Sequence, residues 1–167
     1  SILVNHFLAT IAAEMTITGA GATSIFSISK PSTTVTGGLI KITADAAVSF
    51  TSIKFTLTSF TLKPLQEEAE DIKPAPLTNT VLEHTGSGSL TLTTIWFEYD
   101  SSFSTDYYQQ AALTQNVLST SSGALTLSEV SFSSITMDTA ALITAGGALT
   151  IKDTSSFTSV SRTTGRG

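Results

Sequence analysis

Gly123–Phe132 (GALTLSEVSF) is one of three copies of a single phrase. Gly88–Phe97 (GSLTLTTIWF) and Gly147–Phe157 (GALTIKDTSSF) superpose on it with at most one inserted residue. Gly38–Ile42 (GLIKI), leading to Val48–Phe50 (VSF), reads as a looser copy. The likeness extends upstream of the glycines as Val81 and Leu82, Val117 and Leu118, and Ala141 and Leu142. Such internal repetition marks a chain built from one supersecondary unit that buries its apolar face only against its own neighbours.

The pattern inside the phrase identifies the unit. Leu125 and Leu127, Val130 and Phe132, and Ile135 and Met137 each alternate with polar residues, the period of a half-buried strand. Between pairs the phase slips by one residue. A flat strand would turn its apolar side chains outward after each slip. A strand bent at Ser128–Glu129 and again at Ser133–Ser134 keeps all of them inside. The slip recurs in Leu90, Leu92, Ile95, Phe97 and Tyr99, and in Val48, Phe50, Ile53, Phe55 and Leu57. Helix is disfavoured, because Thr, Ser, Val and Ile dominate and no apolar stripe of helical period outlasts a turn. Asn5–Met15 and Gln66–Ile72 are the best local helix candidates. Leu90, Leu92, Ile95, Phe97, Leu125, Leu127, Val130, Phe132, Leu149, Ile151 and Phe157 are expected to point inward in stacked columns. Thr91, Thr126 and Thr150 should form one outward column.

Two segments interrupt the repetition. Lys63–Pro76 holds three of the 4 prolines and reads as a solvated loop. Asp100–Gln115 carries Tyr107 and Tyr108, as a loop that packs back on the body or offers a contact surface. The whole chain, 167 residues, is the size of one domain. Only 13% of residues are charged, against 24 Ser and 30 Thr, so the surface is hydroxyl-rich rather than ionic. A net charge of −5 with 8 basic residues gives no footprint for nucleic acid. Cys is absent, which excludes thiolate ligands, thiol nucleophiles and disulfides. No apolar run is long enough to span a membrane as a helix. Ser1–Ala13 imitates a signal-peptide core but has no basic flank, and reads as mature structure.

Met15–Thr23 (MTITGAGAT) resembles the early-coil phrase of pectin-lyase-like right-handed parallel β-helices. Gly146–Leu149 (GGAL) followed by Ser156–Ser159 (SFTS) is similar to the paired repeats of polymorphic outer-membrane adhesins and related protist surface proteins. Five-residue spacing of Val130, Ile135 and Ala140 also resembles pentapeptide-repeat proteins, although a Gly-led unit of this length argues against them. With the resemblance, the fold expected is all-β: a right-handed parallel β-helix (β-solenoid) of about five or six coils with insertions at 63–76 and 100–115. The resemblance implies a structural or adhesive role, extracellular or at the cell surface, with glycans as possible partners. It also implies the alternative of a polysaccharide-acting lyase or hydrolase, or a carbohydrate-binding relative.

Polysaccharide chemistry needs paired carboxylates or a Ca²⁺-binding acidic cluster with a base. Glu98 and Asp100, with Asp106 following, form the best constellation, and their plainer reading is the outward face of a strand whose Phe97 and Tyr99 point in. Glu129 and Asp153 share one repeat position and should stack one coil apart, where they bind a cation or repel weakly beside Lys152. His84 sits two residues after Leu82, as Thr120 and Thr144 do after Leu118 and Leu142, and reads as structural. His6 has no Ser and Asp partners, and Thr18–Gly21 (TGAG) lacks a dinucleotide fingerprint. The sequence therefore assigns no catalytic, cofactor-binding or metal-binding residue. No Asn-x-Ser/Thr sequon occurs at Asn5, Asn79 or Asn116, so any sugar on the Thr column would be O-linked. Neither Ser1–Phe7 nor Ser156–Gly167 reads as a polar cap, so the ends imply further repeats of the same chain or end-to-end self-association into a filament.

Overall fold

The computed structural model describes residues 9–21, 25–27, 40–57, 60–62, 80–99, 108–110 and 112–163. The described chain is all-β, with parallel strands in stacked sheets and no helix. It makes five passes across one 5-stranded sheet. The first pass holds β1 (Ala9–Ile11), β2 (Met15–Thr18) and β3 (Ile25–Ser27), the second β4 (Ile40–Ile42), β5 (Val48–Leu57) and β6 (Phe60–Leu62). The third holds β7 (Leu82–His84), β8 (Leu90–Tyr99) and β9 (Tyr108–Gln110). The fourth holds β10 (Leu118–Thr120), β11 (Leu125–Ser128), β12 (Ser131–Ser133) and β13 (Thr136–Met137). The fifth holds β14 (Ile143–Ala145), β15 (Leu149–Lys152), β16 (Ser156–Thr158) and β17 (Ser161–Arg162). The β-branched and hydroxyl residues that fill these segments suit a pleated surface with one buried face.

Each pass lies in register on the one before. Met15, Val48, Leu90, Leu125 and Leu149 form one column, and Ile17, Phe50, Leu92, Leu127 and Ile151 another. Phe26, Phe55, Phe97, Phe132 and Phe157 form a third. The rings of Phe55, Phe97, Phe132 and Phe157 stack at centroid distances of 5.1, 4.9 and 5.1 Å. That spacing follows the strand spacing of about 4.8 Å, so identical side chains lie flat on one another without tilting. Phe50, Phe55, Leu90, Leu92, Phe97, Leu125, Leu127 and Phe132 of these columns are buried, together with Ile53, Ile95 and Val130 beside them and Ile40, Ile42, Leu82 and Leu118 of the neighbouring sheet.

The corners expected from the phase slip are present as backbone turns. Ser52, Thr94, Glu129 and Asp153 stack at one corner with φ of 57, 53, 55 and 56°, and Ser134 and Ser159 stack at the next with φ of 57 and 53°. A left-handed residue other than Gly costs about 1–2 kcal/mol, and each corner returns the apolar alternation to the inside. The extra residue of the fifth pass is absorbed just after Asp153. There the Ser155 hydroxyl accepts the Val130 N–H at 3.1 Å and donates to the Lys152 carbonyl at 2.9 Å.

Gly123 shows why the phrase opens on glycine. A Cβ there would lie 1.8 Å from the Gly88 carbonyl oxygen and 2.8 Å from His84 Cε1. The passes approach closely enough at this point that only a hydrogen fits.

Several expectations are corrected by the register. Gly38–Ile42 is not a copy of the Gly-led strand, because Ile40–Ile42 pairs with Leu82–His84, while Val48–Phe50 pairs with Leu90–Leu92. In the last pass Ile143, not Leu142, lies beside Leu118, so Ala145 rather than Thr144 shares the column of His84 and Thr120. The described part of the Asn5–Met15 helix candidate contains β1 and the start of β2, strands drawn into the parallel sheets by pairing with β4 and β5. Leu149, Ile151 and Phe157 keep their column positions but are 44, 46 and 48% exposed. Among the described residues no further strand lies over β15 or β16.

The second insertion returns to the stack. β9 pairs antiparallel with β6, and Leu113, buried, bridges to Met137. Lys63–Pro76, Gln66–Ile72 and the side chains of Tyr99, Tyr107 and Tyr108 lie outside the described residues.

Candidate functional site

Alternation along β8 turns Trp96 and Glu98 outward, because Ile95 and Phe97 are fully buried. Trp96 lies in register with Lys54 of the second pass and Ser131 of the fourth. Lys54 reaches diagonally past it to form an ion pair with Glu98. The carboxylate with the strongest sequence case for acid–base chemistry is thus held by an ammonium group, on a face that remains half open to solvent. Asp100 and Asp106 lie outside the described residues. A second ion pair, Lys41 to Glu83 at 3.7 Å, joins the same two passes on the neighbouring sheet.

Glu129 and Asp153 share the left-handed corner, as their repeat position implies. Each carboxylate accepts a hydroxyl from the preceding pass: Thr94 Oγ1 donates to Glu129 at 2.8 Å, and Ser128 Oγ donates to Asp153. These hydrogen bonds give both charges a ligand within the protein. Among the described residues no group of three or more His, Asp or Glu is placed to hold a metal ion.

His84 is fully buried between passes, and its Nε2–H donates to the Ala44 carbonyl at 3.3 Å. Its Nδ1 has no hydrogen-bond partner among the described residues. Thr120, one pass on in the same column, is 1% exposed, and its hydroxyl likewise has no partner among the described residues. Two neighbouring positions of one column therefore carry polar side chains inside a largely apolar core. The column position inferred for His84 from Leu82 is the one it occupies.

Asp45 is a feature that sequence reasoning passed over. Its Oδ1 accepts both the backbone N–H and the hydroxyl of Ser87, each at 2.9 Å. The backbone N–H, then the hydroxyl, hold the Asp45 carboxyl below its ordinary value. The two residues are separated by a whole pass and lie outside the repeated phrase, so no local motif announces the pairing.

Outward hydroxyls form ladders on the sheet of β2, β5, β8, β11 and β15. Thr16, Ser49, Thr91, Thr126 and Thr150 lie in register, and Ser49 Oγ donates to Thr16 Oγ1 at 3.0 Å. The Thr91, Thr126 and Thr150 column expected from the sequence is part of this ladder. At the fifth pass the apolar columns open: Leu149, Ile151 and Phe157 present about half of each side chain to solvent. No family model, curated protein or solved structure matches the chain.

Proposed function

We propose that the passes close into a right-handed parallel β-solenoid that acts as a structural or adhesive element outside the cell. The observation that carries this reading is the one-to-one register through all five passes, with column chemistry repeated from pass to pass. Such a stack devotes its sequence to a rigid rod and a uniform hydroxyl surface. Glu98, Glu129 and Asp153 are each engaged by a neighbour in the adjacent pass, in keeping with structural charges.

A second reading, a polysaccharide-acting or carbohydrate-binding solenoid, draws support from one place. Trp96, Lys54 and Glu98 share an outward patch, and an aromatic face beside paired hydrogen-bonding groups suits a sugar ring. Incubation with acidic and neutral polysaccharides separates the readings. The structural reading expects no oligosaccharide products, and products that disappear in Glu98→Gln would refute it. Labelling of intact source cells with a membrane-impermeant amine reagent tests the location. Protection of the protein until lysis would count against a surface role.

A further inference from the structure

We propose that the open face of the fifth pass docks the first pass of a second copy of this chain, continuing the parallel stack head to tail. The inference rests on the solenoid reading and names its partner. Leu149 and Ile151 occupy columns whose members in the second to fourth passes are buried under a following strand, yet they are 44 and 46% exposed. At the other end of the same columns Met15 is 42% exposed and Ile17 is half-buried. The two faces thus open the same columns in opposite directions, so each supplies what the other lacks.

The register for docking is already set by the interfaces between passes. Extending them by one strand sets Met15 on Leu149, Ile17 on Ile151 and Phe26 on the position of Phe157, continuing the phenylalanine column. The free N–H and C=O groups along β15 would pair with β2 as β11 pairs with β8. Among the described residues of β2 and β15 no like charges meet in this arrangement. Lys152 falls opposite Thr18, and Glu14, one residue before Met15, falls opposite Ala148. The interface is heterologous, joining two different patches, so it leaves one open face at each end and propagates.

The test is sedimentation velocity of the whole chain across a range of concentrations, with two single variants. Wild type is expected to grow from monomer through dimer to longer species. Ile151→Lys and Met15→Lys each place a charge on one exposed face, and each alone should remain monomeric at every concentration. Mixed together, they should form a species of twice the monomer mass and nothing larger, because each retains the face the other has lost. Urea unfolding of the same samples separates the possible failures. A wild type that unfolds cooperatively yet stays monomeric at all concentrations overturns the docking and leaves the solenoid reading standing. A wild type without cooperative unfolding overturns both. Dimers that persist in Met15→Lys alone overturn the head-to-tail arrangement in favour of one face pairing with itself.

Discussion

Truncating the phenylalanine column at two heights tests the stack directly. Phe97 is fully buried and stacks on Phe55 at 5.1 Å and on Phe132 at 4.9 Å. Phe157 has the same column position, is 48% exposed, and stacks only on Phe132 among the described residues. Removing a fully buried phenylalanine ring costs about 3–5 kcal/mol, which includes the cavity it leaves. Each ring pair adds about 0.5–1.5 kcal/mol beyond the buried area, so Phe97→Ala should lie at the upper end of that range. Phe157→Ala loses about half the burial, loses one ring pair and opens no enclosed cavity, and should cost about 1–2 kcal/mol. Urea denaturation of dilute protein measures both. With a slope of about 2 kcal/mol per molar urea, the Phe97 variant should unfold at least about 1 M earlier than the Phe157 variant. Equal losses would mean that Phe157 is covered in solution, and a loss below about 1 kcal/mol for Phe97→Ala would refute the column itself.

Three other outcomes follow from particular atoms. Thr120→Val replaces a buried hydroxyl that has no partner among the described residues with a methyl of the same shape and should raise stability by about 1 kcal/mol, visible as a higher urea midpoint. A lower midpoint would show that the hydroxyl has a partner. Gly123→Ala drives a methyl into the Gly88 carbonyl and should cost about 3 kcal/mol or more; a neutral effect would show that the passes are less closely spaced. Asp45, held low first by the Ser87 N–H and then by its hydroxyl, should titrate below an ordinary carboxylate in carbon-detected NMR. Ser87→Ala should raise that value only in part, because the backbone donor remains. Since the folded value is depressed, the stability Asp45 contributes is present above the unfolded value of about 3.9 and is lost as pH falls through the folded value. An unchanged titration in Ser87→Ala would show that the hydroxyl bond is absent in solution.

The candidate site was less legible than the fold. Glu98 was singled out for its neighbours in sequence, Asp100 and Asp106, but the group that engages it is Lys54, which lies in a different pass. Nothing within either strand signals the pairing. Trp96 and Lys54 share an outward column because β8 lies on β5, and the insertion between those strands hides the relation from any local pattern. His84 was easier, since its place after Leu82 repeats that of Thr120 after Leu118 and the register puts them side by side. That its Nδ1 meets no partner among the described residues was not legible, because it depends on which atoms of neighbouring passes come within reach.

Within the repeated phrase the sequence by itself determined the strands, the direction of their apolar residues and their corners. Apolar alternation is a property of adjacent residues, and a one-residue slip in its phase demands a bend wherever both sides must face the same core. Hence Glu129 and Ser134, read as corner positions, carry φ of 55 and 57°. The tertiary structure decided what lies beside what. Pairing of Ile40 with Leu82 rather than Leu90, and of Leu118 with Ile143 rather than Leu142, follows from close packing across intervening segments of unequal length. The exposure of Leu149, Ile151 and Phe157 was also beyond the pattern, since alternation tells which way a side chain points, whereas burial requires a strand above it as well as one below.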